Sequence, residues 1–183
     1  MANILILYST TDGHTRKIAE RIREVIEEGP HHVTLLHIVE AAAVDLHSFD
    51  QIVIGASIRY GRHSCEVIDF IRGNAQLLAS KDNAFFSVNI VARKPAKNQP
   101  ATNPYLIKFL RRIAWRPHLL AVFAGKLDYP RYGVLDRTMI RFIMWMTGGP
   151  TDPATVKEFT DWRQVEQFGE RLRDGEPVLP PAG

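Results

Sequence analysis

Short apolar runs and helical apolar stripes alternate along this chain. Residues 3–8 are almost wholly apolar, the pattern of a strand buried on both faces of a parallel sheet. From Thr15 the positions Ile18, Ala19, Ile22, Val25 and Ile26 recur at helical spacing, and Gly29-Pro30 supplies a stop. Similar runs predict strands over 33–38, 51–56, 84–91 and 119–124. Helical patterns lie between them over 65–72 (Val67, Phe70, Ile71) and 105–113 (Leu106, Phe109, Leu110, Ile113). A last helix follows Asp161, an N-cap with Gln164 three residues on, and carries Val165, Phe168 and Leu172 on one face.

This alternation of strand and helix predicts an α/β fold, a parallel sheet covered by helices on both sides. Five strands suggest the order 2-1-3-4-5. Ligands of such sheets bind beyond the carboxyl ends of the strands where the strand order reverses, so the loops after strands one, three and four are where function is sought. The 183 residues fit one domain, taken as 1–175, with a frayed tail over 176–183 that holds three prolines. One cysteine cannot form an internal disulfide, which excludes a disulfide scaffold and fits a reducing cytoplasm. The N-terminus has no basic region, and no segment reaches the ~20 apolar residues of a spanning helix.

The net charge of +3 conceals an asymmetry. Between Arg93 and Thr147 stand eleven basic residues against Asp128 and Asp136, a local charge of +9 that leaves −6 for the remainder. A cationic segment of this kind attracts phosphates, acidic headgroups or a small polycarboxylate, unless it serves only as a solvated face.

The first loop, Ser9-Thr10-Thr11-Asp12-Gly13-His14-Thr15, runs straight into a helix. Free N–H groups, the helix dipole and neutral hydroxyl donors suit a phosphate monoester held without lysine, although Ser, Thr and Asp also serve as ordinary caps. A Walker loop and a dinucleotide-type glycine triplet are both absent. The later loops are Ala56-Ser57-Ile58-Arg59-Tyr60-Gly61, preceded by Gly55, and Ser87-Val88-Asn89-Ile90-Val91-Ala92-Arg93. Small residues there let a planar ring approach the backbone, Tyr60 offers a stacking face, and Arg59 and Arg93 offer charge to a ring that becomes anionic on reduction.

These residues amount to a resemblance. The segment from Tyr8 to Thr15 is similar to the phosphate loop of flavodoxins, with Asp12 standing where that pattern usually has a threonine. Ile54-Gly-Ala-Ser-Ile-Arg-Tyr-Gly61, Ser87-Val-Asn-Ile-Val-Ala-Arg-Lys-Pro95, Tyr129-Pro-Arg-Tyr132, Gly148-Gly149 and Thr160-Asp-Trp162 resemble the menaquinone-dependent protoporphyrinogen IX dehydrogenases of haem synthesis. The likeness covers nearly the whole chain. It implies a flavodoxin-like three-layer sandwich with a basic insert after strand five, taken as 126–158. It further implies an FMN enzyme that removes six electrons from a porphyrinogen in three two-electron steps and delivers them to menaquinone or ubiquinone at the cytoplasmic face of the inner membrane. The flavin itself carries that chemistry, and its binding residues are expected in the three loops. A carboxylate facing a phosphate would repel it, so Asp12 is expected to point outward or to cap the helix. An electron-carrier flavodoxin is usually acidic, whereas this chain has a pI near 9.1, and its cationic insert suits the two propionates of a porphyrinogen.

Residues 134–147 are apolar around most of a helix, with Asp136, Arg137 and Arg141 on the rest. Such a helix suits an anionic membrane surface, or packs on the core or on a second subunit of a homo-oligomer. His63 and Tyr60 are reachable acid–base candidates, His63 being expected on an exposed loop. Cys65 is expected to be buried in a helix, and His31, His32 and His37 lie on the surface without metal. Phosphate-accepting receivers are excluded by the missing acids after strands one and three. Two alternatives are an NAD(P)H:quinone reductase and a non-enzymatic anion- or nucleic-acid-binding module using Tyr105, Lys108, Arg111, Arg112 and Trp115. The favoured reading has no nucleic-acid partner.

Overall fold

The five apolar runs form one parallel sheet. The computed structural model describes residues 1–175. In it β1 (Asn3–Ser9), β2 (His32–His37), β3 (Gln51–Ser57), β4 (Asp82–Asn89) and β5 (Leu119–Ala124) pair in the order β2-β1-β3-β4-β5, as the alternation predicts. The tail over 176–183 lies outside the described residues.

Alternation along each strand sends side chains to two cores. On one face Leu5, Leu7, Ile52, Ile54 and Phe85 meet α2 (Cys65–Gly73) and α4 (Pro104–Leu110) through Val67, Ile71, Leu106 and Phe109. On the other Ile4, Ile6, Val53 and Phe86 meet α1 (His14–Glu27) and α6 (Trp162–Asp174) through Ile18, Ile22, Val165 and Phe168. A short α3 (Ala75–Ala79) leads into β4. Each of these fully buried side chains contributes about 1.5–3 kcal/mol, so the sheet edge carrying the loops is a rigid platform. Asp161 caps α6 as expected, accepting from the N–H groups of Arg163 and Gln164.

Two boundaries differ from the pattern. β4 ends at Asn89, because the Asn89 side chain accepts from the Ala92 N–H (3.1 Å) and turns 90–93 into a 3₁₀ turn. The helix expected over 105–113 stops at Leu110, where Arg116 Nη1 donates to the carbonyls of Leu110, Ile113 and Trp115. Cys65, expected inside, is exposed: it is the first residue of α2, on the solvent side of that helix.

After β5 the chain leaves the sheet. β6 (Lys126–Asp128) and β7 (Val156–Glu158) pair antiparallel, with α5 (Val134–Met146) between them, over a small core of Leu127, Tyr129 and Met144. Among the described residues no helix is long and apolar enough to cross a membrane.

Candidate functional site

The loops after β1, β3 and β4 meet at the carboxyl edge of the sheet, where they and α5 line a cleft of about 150 Å³, partly open to solvent. Of the residues singled out in the sequence, Thr10, Thr11, Asp12, His14, Thr15, Ser57, Ile58, Arg59, Tyr60, Gly61, Val88, Asn89 and Ile90 line it. Three separate loops converge because the sheet places β1 between β2 and β3, which is where the strand order reverses.

The first loop enters α1 through Gly13, which adopts a left-handed φ of 83° and gives the helix no side-chain cap. Thr10 Oγ1 accepts from the Gly13 N–H (3.0 Å). Thr15 is buried, and its hydroxyl has no partner. Asp12 does not cap the helix; it leaves much of its surface open, yet its carboxyl lines the cleft. Partial burial raises the Asp12 pKa, opposed by Arg59 and Arg131 and reinforced by Asp136 and Asp128. His14 Nε2 lies 2.6 Å from Thr160 Oγ1, which donates to the Ala124 carbonyl (2.7 Å), so the start of α1 is tied to the end of β5. Burial also holds the His14 pKa below the ordinary histidine value.

The second loop is a tight reversal. Arg59 and Arg62 exchange backbone hydrogen bonds (2.9 and 3.1 Å) around Tyr60 and Gly61, whose φ values are 50° and 74°. These are the signs of a type I′ turn, rare for tyrosine, and they hold the Tyr60 ring out over the cleft mouth. Its base is fixed by His63. Far from lying exposed as expected, His63 is 5% exposed, with Nε2 3.0 Å from Ser87 Oγ and the ring against Phe85 and Phe109. Burial pushes its pKa down to about 3, so it is neutral near pH 7 and braces the loop rather than exchanging protons.

Other expected site residues lie elsewhere. Ser9 faces Ser64 (3.1 Å), and Gly13 lies outside the cleft lining. Ala56, Val91 and Ala92 are buried, and Ser87 faces His63. Gly55 serves packing within the sheet: a Cβ there would stand 2.0 Å from the Phe86 ring of the neighbouring strand. Arg93 donates to the Ile90 carbonyl and to Thr147 Oγ1 (2.9 Å), which ties the third loop to the end of α5.

Comparisons with known proteins agree with this architecture. The family profile described as "Flavodoxin domain" matches residues 5–154. The chain belongs to the flavodoxin-domain family. It is 44% identical over 168 residues to the protoporphyrinogen IX dehydrogenase [quinone] of Escherichia coli (strain K12), covering 92% of this chain and 93% of that one. To the protein of the same name from Leishmania major it is 41% identical over 178 residues, covering 97% and 77%. A solved relative in fold is oxidised flavodoxin 1 of Bacillus cereus, with a TM-score of 0.56 at 18% identity, covering 96% of this chain and 99% of that one.

For a flavodoxin-domain protein the cofactor to be housed is FMN, and the residues present fit it. The uncapped start of α1 and the orphaned Thr15 hydroxyl both want an acceptor, which a phosphate supplies. The cleft also has walls that the loop reading missed: Tyr105, Lys126, Leu127 and Tyr132, and on α5 Asp136, Met139, Ile140 and Ile143. The last four stand at i, i+3, i+4 and i+7, so helical periodicity within 134–147 was the signal for that inner face.

Proposed function

We propose that this chain is an FMN-dependent protoporphyrinogen IX dehydrogenase with a quinone as electron acceptor. What carries the reading is one cleft, gathered from the loops after β1, β3 and β4, in a chain 44% identical to a protoporphyrinogen IX dehydrogenase [quinone] over 93% of that protein. When bound, FMN supplies the two-electron chemistry.

The protein's own residues bind, orient and exclude water. Thr10, Thr11, Thr15 and the first N–H groups of α1 hold the phosphate. Ser57, Ile58, Tyr60, Val88, Asn89 and Ile90 line the part of the cleft that would hold the ring. Met139, Ile140 and Ile143 of α5 close the cleft with apolar surface, which keeps water from the reacting atoms. Within this reading the segment 126–158 is the substrate- and membrane-facing part of a single domain.

Its helix has three faces. Asp136, Met139, Ile140 and Ile143 look into the cleft. Arg137 donates to the carbonyls of Tyr129 and Tyr132, Arg141 donates to that of Thr151, and Met144 is buried, so these brace the small core. Leu135, Phe142, Trp145 and Met146 are 85%, 57%, 71% and 65% exposed. That outer face supports peripheral contact with a membrane, where a lipid-soluble quinone is found.

The test is direct. The purified protein should be yellow, and under anaerobic conditions it should convert protoporphyrinogen IX to the porphyrin in step with reduction of menaquinone or ubiquinone analogues. Rapid flavin reduction by NADPH without porphyrinogen turnover would overturn the assignment.

A further inference from the structure

The cleft mouth carries a carboxylate of the protein's own. Arg59 Nη2 donates to Asp136 Oδ2, and the Tyr60 hydroxyl donates to Asp136 Oδ1, so both oxygens of one carboxylate are gripped by adjacent residues of a single turn. The grip is built rather than incidental. Tyr60 is the one non-glycine residue with positive φ among the described residues, and its ring lies under the Arg59 guanidinium, 5.5 Å from Cζ to the ring centroid. Asp136 is one of only two acidic residues in the cationic stretch from Arg93 to Thr147. It sits in the first turn of α5, on the face whose Met139, Ile140 and Ile143 roof the cleft. Arg59 spends a single N–H on this contact, while a guanidinium can grasp a carboxylate with two.

We infer that Arg59 and Tyr60 form a subsite for a substrate carboxylate, which Asp136 fills until the substrate displaces it. The ligand is an apolar tetrapyrrole body bearing a flexible carboxylate arm, and the inference rests on the function proposed above. A propionate of the incoming porphyrinogen takes the Arg59–Tyr60 grip, α5 loses its latch, and the apolar face of Met139, Ile140 and Ile143 then lies against the macrocycle. Because the internal carboxylate competes with the external one, apparent affinity is lowered by the fraction of molecules that are latched. A ligand without a free carboxylate has nothing to exchange for Asp136, so the device selects among tetrapyrroles by their acid arms.

The experiment uses the flavin-loaded full chain and two stable probes, protoporphyrin IX and its dimethyl ester, with binding followed by porphyrin fluorescence. The wild type should prefer the free acid. D136N should tighten free-acid binding by about three- to tenfold and leave the ester unchanged. R59Q should weaken free-acid binding by about tenfold, with little effect on the ester. Equal binding of acid and ester by the wild type, or parallel shifts of both probes in the two variants, would overturn the subsite. If the wild type still oxidises protoporphyrinogen in those cases, the proposed function stands and the subsite alone falls. A wild-type flavoprotein with no quinone-linked oxidation would overturn both.

Discussion

His63 Nε2 stands 3.0 Å from Ser87 Oγ, with the imidazole packed against Phe109 at a centroid separation of 4.4 Å. One histidine therefore joins the loop after β3 to strand β4 and to helix α4. Asn89 extends the link, since its side chain and that of Asn103 donate to each other (3.5 and 3.2 Å). The cleft's floor is held by neutral groups throughout this network.

The pH dependence of stability follows from that burial. With a folded-state pKa near 3 against about 6.5 when unfolded, the unfolded chain binds the proton first as pH falls. The stabilisation is complete above pH 6.5 and is lost progressively towards pH 3, by on the order of a few kcal/mol. Urea unfolding of the apoprotein at pH 7, 6, 5 and 4 should show a steeper loss for the wild type than for His63→Gln, which cannot titrate. Equal slopes would mean that His63 is solvated.

Thr15→Val keeps the shape of a buried side chain and removes a hydroxyl that has no partner in the protein. The variant apoprotein should be as stable as the wild type, or more stable by about 1 kcal/mol. FMN binding, measured by quenching of flavin fluorescence, should weaken by about tenfold. Undiminished affinity would place the phosphate elsewhere.

The cationic residues at the end of α4 divide into two kinds. Arg116 donates to the carbonyl of Leu110, the last residue of α4, and to those of Ile113 and Trp115 beyond it, whereas among the described residues no hydrogen bond or ion pair is found for the exposed side chains of Arg111 and Arg112. Arg116→Glu should cost about 1–2 kcal/mol in urea unfolding. The Arg111→Glu/Arg112→Glu pair should leave stability within about 0.5 kcal/mol of wild type.

The outer face of α5 is separable from the cleft. Replacing Leu135, Phe142 and Trp145 together by serine should leave flavin content unchanged, since none of the three lines the cleft. Co-sedimentation with vesicles containing anionic lipid should fall by about tenfold or more. Loss of a dimer in sedimentation velocity, with vesicle binding intact, would assign the face to a second subunit.

The sheet order was legible because five apolar runs separated by helical stripes leave few alternatives, and the first and second loops were legible because turn chemistry sits where the sheet opens. Burial was not. His63 and Cys65 are two residues apart in one turn-to-helix junction, and their environments are the reverse of those expected. The imidazole fills a gap beside Phe85 and Phe109 that only the folded core creates, while the thiol begins a helix on its solvent side. Arg93 reads as a free charge until Thr147, distant in sequence, is brought within 2.9 Å. Asp136 was visible as one of two acids in a basic stretch, but its partners lie more than seventy residues away, beyond any local pattern.

The ladder joining Lys126 to Glu158 returns the chain to the point from which it departed, and Phe159 N–H donates to the Gly125 carbonyl directly below. Everything between is thus a clasped segment that adds no strand to the sheet and is pinned back onto its loops at Arg93 and at the Arg59–Tyr60 turn. An exchange of this segment would therefore have to preserve its stem and the partners it gives to Arg93, Arg59 and Tyr60.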